Sequence, residues 1–87
     1  MPRTNRPYVT SRSSELAKLR VRAKLARAAA ADELGISDGS LANVERGVAR
    51  ASEDLLGSMA RLYKVGARTV RNAYVQGRRA LIARDAL

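Results

Sequence analysis

Apolar residues recur every three or four positions along most of the chain, and serines and glycines divide this pattern into short helical segments. Ser13 or Ser14 can cap the first segment, because a serine hydroxyl accepts a hydrogen bond from a free backbone N–H in the first turn. The apolar face of this segment carries Leu16, Leu19 and Ala23. We therefore predict a first helix that begins at one of these serines and ends before a short break around residues 25–27.

The next two helices are expected to flank a glycine turn. Residues 27–34 include four consecutive alanines, and alanine has the highest helix propensity, so a second helix is predicted there. Gly35 ends this helix, because glycine readily adopts the left-handed conformation found just past a helix C-terminus. Ser37 then caps a third helix over about residues 38–46, and Gly47 ends it.

Two further helices complete the predicted fold. Ser52 caps a fourth helix that ends or bends at Gly66, and a fifth helix is expected from Ala67 almost to Leu87. The apolar face of the fourth helix carries Leu55, Leu56, Met59, Leu62 and Tyr63. No window has the alternation of a strand pair. The fold class is therefore all-α, a compact bundle of four to five short helices with a longer C-terminal helix.

The chain is expected to have three parts. Residues 1–12 form a basic arm, in which two prolines and three arginines accompany polar residues and oppose helix formation. Residues 13–66 form the helical domain, and residues 67–87 form the C-terminal helix, a candidate dimerisation element.

Charge changes this picture more than composition does. The 87 residues include 17 Lys and Arg but only 8 Asp and Glu, for a net charge of +9. Residues 1–31 carry +7, residues 32–60 carry −4 and residues 61–87 carry +6. A small domain this basic usually binds a polyanion, and nucleic acid is the first candidate.

Several function classes are excluded by residue type. The chain has no cysteine and no histidine, so it lacks disulfides, the usual zinc ligand sets and imidazole or thiol catalysis. No apolar run approaches the roughly 20 residues of a membrane span, and the first twelve residues lack the layout of a secretory signal. We therefore expect a cytoplasmic, nucleoid-associated protein that is not an enzyme, requires no cofactor or metal, and binds neither a membrane nor a small molecule.

The second and third helices have the spacing of a helix-turn-helix unit. Ala31 is small enough to lie where the two helices cross, and Gly35 tolerates the tight turn between them. Leu41 and Val44 lie one turn apart and anchor the inner face of the third helix. The outer face of that helix is then free to enter a DNA major groove.

These residues resemble the Cro/CI-type (XRE-family) helix-turn-helix regulators. The segments that carry the resemblance are Leu19-Arg20, Asp32-Glu33-Leu34-Gly35-Ile36-Ser37, Leu41, Val44-Glu45-Arg46-Gly47 and Ala60-Arg61-Leu62-Tyr63-Lys64-Val65. The resemblance implies a lambda-repressor-like bundle that binds double-stranded DNA sequence-specifically, as a homodimer and often as a phage or mobile-element repressor. It also implies a structural ion pair between Arg20 of the first helix and Glu45 at the end of the recognition helix.

The resemblance further implies where DNA is bound. The residues expected to contact DNA are Arg27, Ser37, Asp38, Gly39, Ser40, Asn43, Arg46 and Arg50. The family often has serine-glutamine where this chain has Ala26-Arg27, so Arg27 is expected to hold a phosphate or a guanine edge instead. Arg50 is expected to contact the DNA backbone from the loop after the recognition helix.

The outward residues of the recognition helix have alternative roles. Asn43 is expected to bind adenine through two hydrogen bonds, although it also suits a solvated surface. Asp38 accepts from a cytosine amino group or simply stabilises the helix N-terminus. Ser40 contacts a base, a phosphate or the local backbone, and Gly39 lets the helix backbone approach DNA closely.

Both ends of the chain leave alternatives open. The stripe Val70, Tyr74, Gly77 and Leu81 packs on its own domain or pairs with a second copy, and we favour the second copy. Arg78, Arg79 and Arg84 would then be exposed or reach flanking DNA. The arm residues Arg3, Arg6 and Arg12 track a minor groove or remain solvated.

Two other functions compete with DNA regulation. The acidic middle segment is compatible with a protein-interaction or antitoxin-like adaptor that keeps the helix-turn-helix fold. Residues 16–31 are cationic and amphipathic, as in membrane-surface helices, but their apolar stripe is narrow, has no Trp or Phe, and is needed to close the bundle.

Overall fold

The computed structural model describes residues 14–86, with side chains described through residue 80. These residues form five helices and no strand: α1 (Glu15–Arg22), α2 (Arg27–Leu34), α3 (Asp38–Glu45), α4 (Glu53–Tyr63) and α5 (Ala67–Ala86). The predicted all-α class and the longer C-terminal helix are confirmed. The predicted basic arm and the alternative cap Ser13 lie outside the described residues.

Serine hydroxyls begin three of the helices as predicted. Ser14, Ser37 and Ser52 each have an extended backbone and accept a hydrogen bond from the backbone N–H three residues farther along, at 3.0–3.1 Å. Each bond satisfies one of the free donors of a first turn, and such a cap stabilises a helix by about 1 kcal/mol. The helix starts are therefore set by local chemistry.

The helix ends agree with the sequence in two places and differ in one. Gly35, at φ 74°, ends α2, and Gly47, at φ 82°, follows α3. The prediction that the fourth helix ends or bends at Gly66 is wrong, because α4 ends at Tyr63 and Lys64 takes the left-handed conformation at φ 59°. The adjacent Val65 donates its N–H to the Ala60 carbonyl at 3.0 Å and packs against the core, which offsets the strain at Lys64.

The core lies where the five helices meet. Its fully buried large side chains are Leu16, Leu41, Met59 and Val70, one from each of α1, α3, α4 and α5. The second helix contributes Ala30 and Ala31, which are buried as well. The predicted inner residues of the recognition helix, Leu41 and Val44, are therefore confirmed as core residues.

The first half of α5 packs on its own domain. Val70 and Ala73 are buried in the core, and the Tyr74 hydroxyl accepts a hydrogen bond from the Ala51 N–H at 3.0 Å. These contacts correspond to the first of the two alternatives for the C-terminal stripe, in which it packs on its own domain.

The backbones of α5 and the turn after α3 nearly touch. A Cβ atom added at Gly47 would lie 2.7 Å from the Gly77 carbonyl oxygen. The half-buried Arg78 donates from Nη1 to the Gly47 carbonyl oxygen at 3.0 Å. In this structure Arg78 is therefore not the exposed residue considered for the case in which α5 pairs with a second copy. The side chains of Leu81 and Arg84 lie outside the described ones.

Candidate nucleic-acid interface

The helix-turn-helix geometry is present in α2, α3 and the turn between them. Ile36 donates its N–H to the Ala31 carbonyl at 3.0 Å, which closes the end of α2 around Gly35. Ala31 is 2% exposed and Leu41 is fully buried, so the two helices meet through small and apolar side chains. The opposite face of α3 is left in solvent.

A buried ion pair connects α1 to the end of α3. Arg20 donates from Nε to Glu45 Oε2 at 2.6 Å and from Nη2 to Glu45 Oε1 at 3.3 Å, and each residue is 5% exposed. Arg20 Nη1 also donates to the Leu25 carbonyl at 2.9 Å. The fork geometry confirms the predicted structural pair and holds α3 at a fixed angle.

The eight residues expected to contact DNA are all exposed. They are Arg27, Ser37, Asp38, Gly39, Ser40, Asn43, Arg46 and Arg50. They lie on α3, at its ends, at the start of α2 and in the loop before α4. Their accessibility is compatible with DNA contact, and the contact itself stays a prediction.

Two of these residues have local hydrogen bonds. Ser37 Oγ accepts from the Ser40 N–H at 3.0 Å and donates to Ser40 Oγ at 2.8 Å. The local bond is thus one of the three roles considered for Ser40. One hydroxyl proton joins the two oxygens, and the other is available to a phosphate or a base.

A second ion pair, not anticipated from the sequence, spans the starts of α2 and α3. Arg27 donates from Nε to Asp38 Oδ1 at 2.8 Å and from Nη2 to Oδ2 at 3.3 Å. Both side chains are nearly half exposed. The hydrogen bond lowers the pKa of the Asp38 carboxyl and raises the pKa of Arg27. The sequence indicated this pair only through the opposite charges with which the two predicted helices of the unit begin.

One buried polar group near the Arg20–Glu45 pair has no hydrogen-bond partner among the described residues. It is the hydroxyl of Tyr63, a residue that is 4% exposed. Burial raises the pKa of Tyr63 to about 12, and the charge of Glu45 adds to the increase. This group faces the core and belongs to the scaffold rather than to the outer face of α3.

The described residues give no indication of a metal site or of a membrane span. They contain no cluster of three metal-ligating side chains, and none of their helices combines the length and apolar character needed to cross a bilayer.

Comparison with known proteins agrees with this geometry. A family model described as a helix-turn-helix domain matches residues 13–74. The match includes α1 to α4 and the first part of α5, which is most of the chain. Neither the curated proteins nor the solved structures contain a match.

Proposed function

The chain belongs to the helix-turn-helix domain family, and on that premise we propose that it is a sequence-specific, repressor-like regulator that binds double-stranded DNA. The observation that carries the proposal is the exposed outer face of α3, held in place by the Arg20–Glu45 pair. We further propose a cytoplasmic protein associated with the nucleoid, with an origin in a phage or mobile element. Such a regulator needs no catalytic group.

In this proposal α3 enters the major groove. Asn43 forms two hydrogen bonds with adenine, and Asp38 accepts from a cytosine amino group. Gly39 has no side chain, and a Cβ added there would meet no atom within 4 Å, so the helix start can approach the bases closely. Ser40 donates its hydroxyl proton to a base or a phosphate.

Affinity in this proposal comes from phosphate contacts at the ends of the unit. The segment from residue 28 to residue 45 contains no lysine or arginine, so the outer face of α3 contributes no cation. Arg27 precedes the segment, while Arg46 and Arg50 follow it, and all three are exposed. Contacts to the DNA backbone fix the position of α3 along the groove, and contacts to the bases then supply sequence discrimination.

We also propose that two copies bind one operator. A single α3 offers few groups that distinguish bases, so one module reads a short sequence. Two copies on half-sites about one helical turn apart would double the number of bases read.

The proposal is tested by selecting bound sequences from a pool of random duplexes and footprinting the protein on the selected sequences. We expect a palindromic or pseudo-palindromic site, and an affinity that falls linearly with salt on logarithmic axes. Asn43→Ala should relax discrimination at one base position, by about 1–3 kcal/mol. The matched control is Asn72→Ala, which removes an exposed asparagine of α5 and should change nothing.

The second candidate is a protein-interaction or antitoxin-like adaptor. The observation in its favour is the exposed carboxylate of Asp38, which begins a face of α3 that has no cation. A carboxylate at this position would repel the phosphates of a bound duplex. Capture of one stoichiometric protein partner, with no duplex binding at moderate salt, would select this function. Duplex binding with half-site symmetry would reject it.

A further inference from the structure

The ion pair between Arg27 and Asp38 occupies a particular place in the unit. Each residue is the first of its helix, Arg27 in α2 and Asp38 in α3. A carboxylate suits the positive end of a helix dipole, whereas a guanidinium there is unfavourable. The first turn of α2 also lacks a side-chain cap at Ala26. Asp38 therefore offsets part of the unfavourable charge of Arg27 at this position.

The pair is strong enough to keep the Arg27 side chain on Asp38 in the free protein, and weak enough for a competing anion to break it. Its fork geometry uses both carboxylate oxygens of Asp38, so Arg27 Nε and Nη2 are engaged in the free protein. Both side chains are nearly half exposed, and solvent-exposed pairs of this kind shift an equilibrium by about fivefold at most. A DNA phosphate can therefore compete with Asp38 for the guanidinium.

When the protein is bound to DNA, breaking the pair changes the surroundings of Asp38. Once Arg27 turns to a phosphate, the Asp38 carboxylate loses its donor while it lies beside a polyanion. A base that offers an amino group in the major groove, such as cytosine, restores a donor to Asp38. A DNA sequence without such an amino group leaves the Asp38 carboxylate uncompensated. On that sequence Arg27 therefore stays paired with Asp38 instead of binding a phosphate.

We propose that Asp38 is a specificity-determining residue that withholds Arg27 from DNA phosphates unless Asp38 gains a base donor of its own. The inference rests on the proposed DNA-binding function and deepens it. Asp38 lowers the affinity for random DNA more than the affinity for the operator. The discrimination therefore comes from a contact within the protein as well as from contacts with bases.

The test uses the full chain and a short duplex of mixed sequence, with binding measured by fluorescence anisotropy at several salt concentrations. The variants are Asp38→Asn, Arg27→Gln and the double variant. Asp32→Asn is the matched control, because Asp32 is an exposed carboxylate of α2 with no ion pair among the described residues. Circular dichroism verifies that each variant is folded.

We expect Asp38→Asn to bind random duplex about two- to fivefold more tightly than Asp32→Asn, with a logarithmic salt slope steeper by about one phosphate contact. Arg27→Gln should weaken binding to random duplex only slightly, since Arg27 is already engaged. The gain from Asp38→Asn should be clearly smaller in the Arg27→Gln background, where only the loss of direct repulsion between the carboxylate and phosphates remains. Sequences selected by Asp38→Asn should be less constrained than those selected by the parent chain.

The outcomes separate the inference from the proposed function. Equal affinities of Asp38→Asn and Asp32→Asn, or a gain of undiminished size in the Arg27→Gln background, would overturn the inference while DNA binding stands. A parent chain that binds no duplex at low salt, and selects no sequence from a random pool, would overturn the proposed function and the inference with it.

Discussion

The buried pair of Arg20 and Glu45 is the residue-level contact on which the position of α3 depends most directly. Both side chains are about 6% exposed, so each charge is removed from water and is compensated chiefly by the other. The Leu25 carbonyl satisfies a further donor of Arg20. A charge left alone at this position would lie in a medium that solvates it poorly.

Glu45→Ala should therefore lower the free energy of unfolding by about 3–5 kcal/mol, which is a large part of the stability of a small domain. The measurement is urea unfolding followed by circular dichroism. Replacing both partners, Arg20→Met with Glu45→Met, should recover much of the loss because no unpaired charge remains. A single variant as stable as the parent chain would show that Arg20 finds another partner.

The hydroxyl of Tyr63 is a buried polar group without a partner among the described residues, so it should cost stability. Tyr63→Phe keeps the ring and should be neutral or raise the free energy of unfolding by about 1 kcal/mol. Because the folded pKa of about 12 lies above the ordinary value of 10.0, the parent chain loses stability as the pH rises through that interval. Thermal unfolding of both proteins across the interval should show a difference that widens with pH.

The exposed pair of Arg27 and Asp38 should appear in a carboxyl titration. The hydrogen bond that Arg27 donates lowers the pKa of the Asp38 carboxyl from the ordinary value of 3.8. The pair therefore contributes stability above that value and loses it as the pH falls through the folded pKa. NMR titration should find the lowered pKa in the parent chain and an ordinary one in Arg27→Gln. Identical titrations would show that the pair is not maintained in solution.

These two pairs differ in how far the sequence predicts them. Arg20 and Glu45 were predicted because the family resemblance places an arginine and a glutamate at those positions. Arg27 and Asp38 are 11 residues apart, and each had a separate expected role on DNA. Their contact depends on the angle between α2 and α3, and neither spacing nor propensity determines that angle.

At the scale of helices, the contact between α5 and the turn after α3 imposes the tightest steric requirement. Gly47 has φ 82°, and its missing Cβ leaves room for the Gly77 carbonyl. An alanine at Gly47 would adopt a strained backbone and collide with backbone atoms that cannot move aside. The Arg78 hydrogen bond to the Gly47 carbonyl would be displaced as well.

We therefore expect Gly47→Ala to lower the free energy of unfolding by about 2 kcal/mol or more. The matched control is Gly39→Ala, where a Cβ meets no atom within 4 Å and the backbone is helical. Alanine there should raise the free energy of unfolding by up to about 1 kcal/mol. Thermal unfolding of the two variants should move in opposite directions, and a shared direction would contradict the close approach.

Helix boundaries were predictable where a side chain sets them directly. Ser37 and Ser52 cap helices from within three residues, and Gly35 supplies a left-handed residue without strain. The end of α4 was not predictable in this way. Lys64 adopts the left-handed conformation because Val65 gains burial, and propensity assigns that conformation to the nearby Gly66 instead.

At the scale of the whole molecule, the surface of α5 bears on how two copies would meet. Val70 and Ala73 are used within the domain, so they are not available to a partner. Among the described residues Val75, 38% exposed, is the one large apolar side chain that α5 leaves in solvent. It lies one turn from Arg71, which pairs with Glu53, and one turn from Arg79. A stable dimer buries about 800 Å² on each partner, far more than one valine provides.

The described part of α5 thus offers too little apolar surface for a stable dimer, and on that basis we expect a monomer in sedimentation velocity at low micromolar concentration without DNA. Two copies should assemble on a palindromic duplex, because both bind the same polyanion and its phosphates offset the repulsion between their arginines. Val75→Asp should reduce the cooperativity of the second copy and leave the affinity for a single half-site nearly unchanged. A dimer at this concentration without DNA would contradict this arrangement, because self-association would then be independent of the duplex.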